Sequence, residues 1–296
     1  MRLRILPFLM LPLLGIGQTN SKVEKPIGEL LSNEISPNEM KRNASFNLDE
    51  IKVRWKKAAL ENCTGVPCIV APSFTCGTST VSDLDGNTYN TVLIGTQCWT
   101  KQNLKVTQYN DGTPIPLDAS GGANGYTAVE TWSTRTTGAY TIYENESSTG
   151  TNATNYGFLY NWFAATDTRN LCPSGWHVPS TGEWTLLIQF IDPGANATGY
   201  PQSITAGGKL KSTSALWNVE TPPSPGTDDY SFSILPGGER EDDGTFSLKR
   251  IYTIFWTTTP FTPSLSYLHG FSSFSSNAGR FPDKNLFGAS IRCLKN

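Results

Sequence analysis

The stretch CPSGWHVPSTGEW, residues 172–184, sets a thiol, Cys172, five positions before an imidazole, His177. A thiolate assisted by an imidazole is a nucleophile, so this pair is where catalysis would begin. In an oxidising compartment such a thiolate must escape disulfide formation, and Cys293 near the end of the chain is an available partner. The reading adopted is a Cys172–Cys293 disulfide. The other chemistry open to His177 is metal binding. His269, the only other histidine, has no carboxylate or thiol cluster around it, so a zinc centre would be isolated.

Two acidic runs offer further chemistry. Glu239, Glu241, Asp242 and Asp243 lie within five positions of one another, enough to hold a cation, but Asp243-Gly244 is also an ordinary turn pair, and the turn is preferred. Glycoside hydrolysis wants two carboxylates facing each other about 5–10 Å apart across a cleft. Four acids crowded into one turn are badly placed for that. Asp83, Asp85 and Asn87 resemble a calcium loop, but an EF-hand starting at Asp83 would need Gly at 88 and Glu at 94, where the sequence has Thr88 and Ile94. No metal or other cofactor is expected.

The chain that must position these residues has 296 residues and a net charge of −2. Residues 1–71 carry ten Lys and Arg against seven Asp and Glu; residues 72–296 carry thirteen against eighteen. A mildly acidic main body argues against nucleic-acid binding, which needs clustered cations. The opening MRLRILPFLMLPLLGIGQTN reads as a signal peptide over 1–17, with an apolar run too short to span a membrane. The protein is therefore expected to be secreted or held at the cell surface, with no membrane span. Residues 18–71 read as a tether. Within it Leu48, Ile51, Trp55, Ala58 and Ala59 predict an amphipathic helix near 47–62, and Cys63 and Cys68 predict a local disulfide around Gly65-Val66-Pro67. Pro72 marks the start of the main domain, 72–296.

Within that domain Asp85-Gly86 sits between β-rich runs and predicts a hairpin. Residues 108–155 predict a long irregular excursion pinned by Trp132, Tyr140 and Tyr143. YGFLYNWFAATD (156–167) places Leu159, Trp162, Phe163 and Thr166 on one helical face. Trp176 and Val178 alternate with His177 as in a short strand. Ser180 and Glu183 form a capping box ahead of Trp184, Leu187, Ile188 and Ile191, which predicts a helix over 181–191 ending at Asp192-Pro193-Gly194. Leu210 and Trp217 are core candidates. Residues 232–246 predict strand, turn, strand; 251–260 a central strand; 266–281 a hairpin packed through Tyr267, Leu268, Phe271 and Phe274; and the closing GASIRCLKN a strand carrying Cys293.

In order along the chain stand DLDGNTYNTVLIGTQCWTKQNLKV, YNDGTPIP, YGFLYNWFAA, CPSGWHVPSTGEW, GGKLKS, DDYSFSILPGGEREDDGTF, FWTTT and GASIRC. This series, from residue 76 to 296, resembles the Fibrobacter succinogenes major paralogous domain, a family of exported bacterial domains. The resemblance implies an α+β fold related to C-type lectin-like domains and to the formylglycine-generating enzyme superfamily. Its expected form is a twisted antiparallel sheet with two short helices, near 157–166 and 181–191, and long ordered loops, braced by disulfides. The matching of Phe-Thr-Cys-Gly with Gly-Thr-Gln-Cys-Trp suggests Cys76–Cys98 as a second bond, and a bond from the helical side to the last strand suits Cys172–Cys293. No activity is carried over. The enzyme branch uses a closely spaced cysteine pair in its C-terminal part, whereas Cys293 is the only cysteine here after Cys172. Calcium-dependent lectins use Glu-Pro-Asn or Gln-Pro-Asp followed by Trp-Asn-Asp, whereas Trp217-Asn218 is followed by Val219 and neither tripeptide occurs.

Three functions remain in competition. The leading one is a non-enzymatic binding module for an extracellular protein or glycan. Its ligand surface would lie in 264–286, with Tyr267, His269, Ser272, Ser275, Asn277, Arg280 and Asp283 as contacts. Serine, asparagine and tyrosine supply adaptable hydrogen bonds and flat contact area, as in antibody loops. Some proteins of the implied fold have this segment diversified by retroelements, which fits recognition of variable partners. The others are a carbohydrate-active enzyme built on the 239–243 acids and a structural surface-assembly protein.

Overall fold

The structure is a computed structural model that describes residues 73–120, 131–218 and 224–296. The chain divides into two units after Pro72. The predicted leader, tether, helix near 47–62 and Cys63–Cys68 bond lie outside the described residues.

The first strands are β1 (Thr80–Ser82), β2 (Thr88–Ile94) and β3 (Gln97–Thr100). The β1–β2 hairpin turns at Asp85-Gly86 as the sequence predicts, with Thr80 opposite Asn90. Its loop is organised by Asp83. That carboxylate accepts from the backbone N–H of Asp85 (3.0 Å) and Asn87 (2.9 Å) and from the Tyr89 hydroxyl (2.6 Å). The lone pairs a calcium ion would need are engaged in the turn itself.

Next come β4 (Tyr140–Thr141), α1 (Thr151–Tyr156), β5 (Leu159–Tyr160) and α2 (Trp162–Ala165). The helix predicted near 157–166 is thus not one element. Gly157 breaks the chain between α1 and β5: its φ is 74°, and a Cβ there would lie 2.8 Å from the Leu104 carbonyl. The backbone then commits to sheet, Tyr160 N–H donating to Ala289 O at 2.9 Å. Asn161 restarts the helix by accepting from Ala164 N–H. Leu159, Ala164 and Ala165 are buried, while Trp162 and Phe163 are only half-buried.

β6 (Trp176–His177) leads into α3 (Thr181–Ile191), followed by α4 (Ala206–Leu210). The boundaries of α3 and its buried stripe of Trp184, Leu187, Ile188 and Ile191 are those the sequence predicts. The rest is β7 (Glu239–Arg240), β8 (Phe246–Ser247), β9 (Tyr252–Pro260), β10 (Leu265–Ser272), β11 (Gly279–Lys284) and β12 (Leu294–Lys295). Among the described residues the strand pairs are antiparallel and fall into sheets ordered β1-β2-β3-β12-β6 and β11-β10-β9, with β4-β5 and β7-β8 as separate pairs. The result is a mixed fold of antiparallel sheets, few helices and two disulfides. The predicted single sheet is divided, and β10 rather than β9 is the central strand of its sheet. Beyond β9, among the described residues, lie isolated bridges, Gly238 with Thr253 and Phe255 with Ser290. Cys293 stands just before β12 instead of within it.

Strands β9 and β10 are buried on both faces. Trp256 and Leu268 enter one hydrophobic cluster, with Tyr160, Trp176 and the Cys172–Cys293 bond. Phe255 and Phe271 enter the other, with Trp99, Trp184 and Ile188. Leu210 and Trp217 are buried as expected; Phe274 is not, being 56% exposed. The 108–155 excursion is pinned by buried Trp132, Tyr140 and Tyr143. A buried ion network holds it further: Asp118 pairs with Arg135 and with Arg240, whose guanidinium lies 4.4 Å from the Trp132 ring centre. Charges taken out of water this far need such partners.

Candidate functional site

The motif that looked most reactive is built as a clasp. Cys172 and Cys293 are both buried and joined in a disulfide, with Cα atoms 5.8 Å apart. Cys76 and Cys98 form the second bond. Among the described residues no cysteine is free, so a Cys172 nucleophile is ruled out. His177 faces away from the core, as the alternation of Trp176 and Val178 predicts. Its Nδ1 lies 2.6 Å from Asn296 Oδ1 and its Nε2 2.9 Å from Glu183 Oε1. The other oxygen of Glu183 accepts from Ser180 N–H (2.7 Å) and Ser180 Oγ (2.8 Å), completing the capping box. Burial pushes the Glu183 carboxyl up, but the Ser180 hydrogen bonds and His177 outweigh it and hold it below the ordinary range. The side chains of His177, Ser180 and Glu183 are therefore engaged in structural hydrogen bonds, and the start of α3 is tied to Asn296.

The acidic turn is also engaged. Asp243 accepts from Thr245 N–H and Oγ, Asp242 pairs with Lys284 at 2.6 Å, and Glu241 accepts from Ser247 Oγ at 2.8 Å. Glu239 is buried, and desolvation with the nearby Glu241 raises its carboxyl to about 7. No group of three or more His, Cys, Asp or Glu among the described residues is arranged to hold a metal ion.

The seven residues proposed as ligand contacts do not form one patch. In the β10–β11 hairpin Tyr267 is opposite Pro282, His269 opposite Arg280 and Ser266 opposite Asp283. Cross-strand partners share a face, so Tyr267, His269 and Arg280 lie on one side and Asp283 on the other. His269 must be removed from the set. It is fully buried, stacks on Trp184 with ring centres 5.1 Å apart, and places Nε2 3.1 Å from Thr181 Oγ1. Burial, with the Arg280 charge adding to it, lowers its imidazole to about 3, so it is neutral. Tyr267 and Arg280 are half-buried and in contact, the guanidinium carbon 3.8 Å from the ring centre. Arg280 Nε donates to Thr181 Oγ1 at 3.2 Å, and exposed Phe261 meets Tyr267 edge-on at 5.3 Å.

Ser272, Ser275 and Asn277 form the hairpin tip. The carbonyls of Ser272 and Ser275 turn inward and accept from Lys211 Nζ at 2.7 and 2.8 Å, with Ser224 O at 2.6 Å. The buried Lys211 is a fastening that the sequence reading missed. Desolvation lowers its amine to about 8. The backbone carbonyl of Asn277 also lies so close to Gly207 that a Cβ there would sit 2.0 Å from it, and this fits the Gly207-Gly208 pair in GGKLKS.

Residues 92–295 match the Fibrobacter succinogenes major domain. The chain belongs to this family. No curated protein and no solved structure matches it. The Fibrobacter succinogenes major domain match begins inside β2 and ends in β12. It contains the clasp, the acidic turn and the β10–β11 hairpin, but leaves out β1 and Cys76, which the motif series had included.

Proposed function

We propose that this protein is an exported, non-enzymatic binding module on a C-type lectin-like scaffold, with its ligand surface on the β10–β11 hairpin. The observation that carries the reading is the Arg280–Tyr267 stack beside exposed Phe261. An aromatic face with a guanidinium laid against it offers flat contact area and directed N–H donors at little cost in ordering. The hairpin has its tip fastened by Lys211, and the face that carries Tyr267 and Arg280 is seated on α3 through His269. The partner is an extracellular protein or glycan, and a net charge of −2 gives no general attraction to nucleic acid. Two disulfides suit an oxidising compartment, hence the secreted or cell-surface location. Among the described residues no helix is long and apolar enough to cross a membrane.

The test is a screen of the full chain on glycan and protein arrays, repeated with Tyr267→Ala and Arg280→Ala. Binding that both substitutions weaken supports the reading. Hydrolysis of an offered polysaccharide, lost in Glu239→Gln, would replace it with the enzymatic one.

A further inference from the structure

A cavity of about 320 Å³ has none of its lining residues in 264–286. Its walls carry three cations, Lys101, Lys105 and Arg292, and no carboxylate. Arg292 is 2% exposed. Its guanidinium donates to Asn103 Oδ1 (3.0 Å) and to the carbonyls of Phe232 and Ser233, all of them neutral acceptors. Desolvation lowers it to about 9, which still leaves it charged at neutral pH.

Two carboxylates that act on residues of this wall, Asp228 on Arg292 and Asp83 on Tyr89, are hydrogen-bonded within the fold. Asp228 accepts from Ser233 N–H and Oγ, at 2.7 and 2.6 Å. Asp83 holds the β1–β2 turn and the Tyr89 hydroxyl. Lys101 and Lys105 are half-buried, and no described residue pairs with either ammonium. Like charges lining a concave, low-dielectric wall focus a positive potential into it. A buried charge without a counter-ion is costly, and an anion in the cavity offsets that cost.

The remaining wall defines the rest of the ligand. Asn155 presents an amide, Gln102 an amide N–H₂ whose carbonyl oxygen already accepts from Asn90 N–H (2.8 Å), Thr154 a hydroxyl oxygen whose proton goes to Gly150 O (2.8 Å), and Ala153 with Leu235 a short apolar strip. Amides and a hydroxyl suit alcohol groups, and an apolar strip suits the face of a ring. The volume is at the low end for ligand sites, enough for one sugar ring and not for a chain. We propose that this cavity binds a sugar acid of hexuronate size, its carboxylate between Lys101 and Lys105 with Arg292 as the fixed charge behind them. The site is independent of the hairpin surface.

The experiment is calorimetric titration of the full chain with galacturonate, galactose and inorganic phosphate at low and moderate salt. Galacturonate should bind, at least tenfold more tightly than galactose or phosphate, and weaken as salt rises. The Lys101→Gln/Lys105→Gln variant should lose at least tenfold in galacturonate affinity with an unchanged melting temperature, while Tyr267→Ala should bind it as the parent does. Absence of galacturonate binding, equal binding of galactose, or an undiminished affinity in the double lysine variant would overturn the proposal. Phosphate binding as tightly as galacturonate would also overturn it, since the site would then select charge alone.

Discussion

The chain's two histidines sit in regions built for opposite ends. His177 is in the 172–184 clasp, partly open to water, with both ring nitrogens bonded to side chains. His269 is in the β10–β11 hairpin, sealed under Trp184. In the clasp His177, Ser180 and Glu183 are engaged with one another and with Asn296, so the region braces. In the hairpin the imidazole is sealed inside; beside it on the same face Tyr267 and Arg280 stay half-buried, near exposed Phe261 of the β9–β10 turn and a serine-rich tip. The exposed histidine thus marks scaffold, and the buried one lies beneath the candidate surface. Reactivity judged by residue type alone points to the wrong region.

The contrast breaks most visibly if the clasp is cut. The Cys172–Cys293 bond closes 121 residues and Cys76–Cys98 closes 22. In the chain-entropy model these contribute about 5 and about 3 kcal/mol. Paired Cys→Ser variants should show losses in that order in urea unfolding, and a larger loss from the shorter loop would contradict the bracing role.

Sealing His269 has a pH signature. Its pKa falls from 6.5 in the unfolded chain to about 3 in the fold. The stability it contributes is therefore complete above pH 6.5 and is lost as pH falls toward 3, by up to ~4–5 kcal/mol at the end of that window. In His269→Phe, which keeps a ring on Trp184, urea midpoints between pH 6.5 and 4 should fall less steeply than in the parent. Equal slopes would mean that the imidazole titrates in the folded protein.

Glu239 tilts the other way. Its carboxyl rises from 4.5 to about 7 on folding. The folded state holds the proton more tightly, so stability is highest below pH 4.5 and declines as pH rises through 7, by ~3 kcal/mol. Glu239→Gln should gain on the parent steadily from pH 5 to pH 8. A constant difference across that range would show that Glu239 ionises freely.

How much of this the sequence discloses follows the range of the interactions. The capping box and stripe of α3 are local, and Ser180, Glu183 and Trp184 announce them at fixed spacing. The β1–β2 hairpin is equally local, set by Asp85-Gly86. The 156–167 segment misleads because Leu159, Trp162 and Phe163 happen to match a helical period, while Gly157 and the pairing of Tyr160 with Ala289 decide otherwise. His269 misleads because alternation implies one wet face, and β10 is covered on both. Lys211, Arg240 and Arg292 escape notice because charged residues are read as surface until their distant carbonyl or carboxylate partners are known. The candidate ligand surface was legible as a segment; which of its residues share a face with buried His269 required the register.

The central claim is that the half-buried Tyr267–Arg280 pair, and not the clasp, meets the ligand. The most direct measurement is the affinity of the full chain for whichever array ligand it captures, taken alongside its melting temperature, in Arg280→Ala and in His177→Ala. Arg280→Ala should cost at least tenfold in affinity and, as a partly exposed cation–ring contact, no more than about 1 kcal/mol in stability, while His177→Ala leaves affinity unchanged. Full affinity in Arg280→Ala, with affinity lost in a folded His177→Ala, would contradict the account.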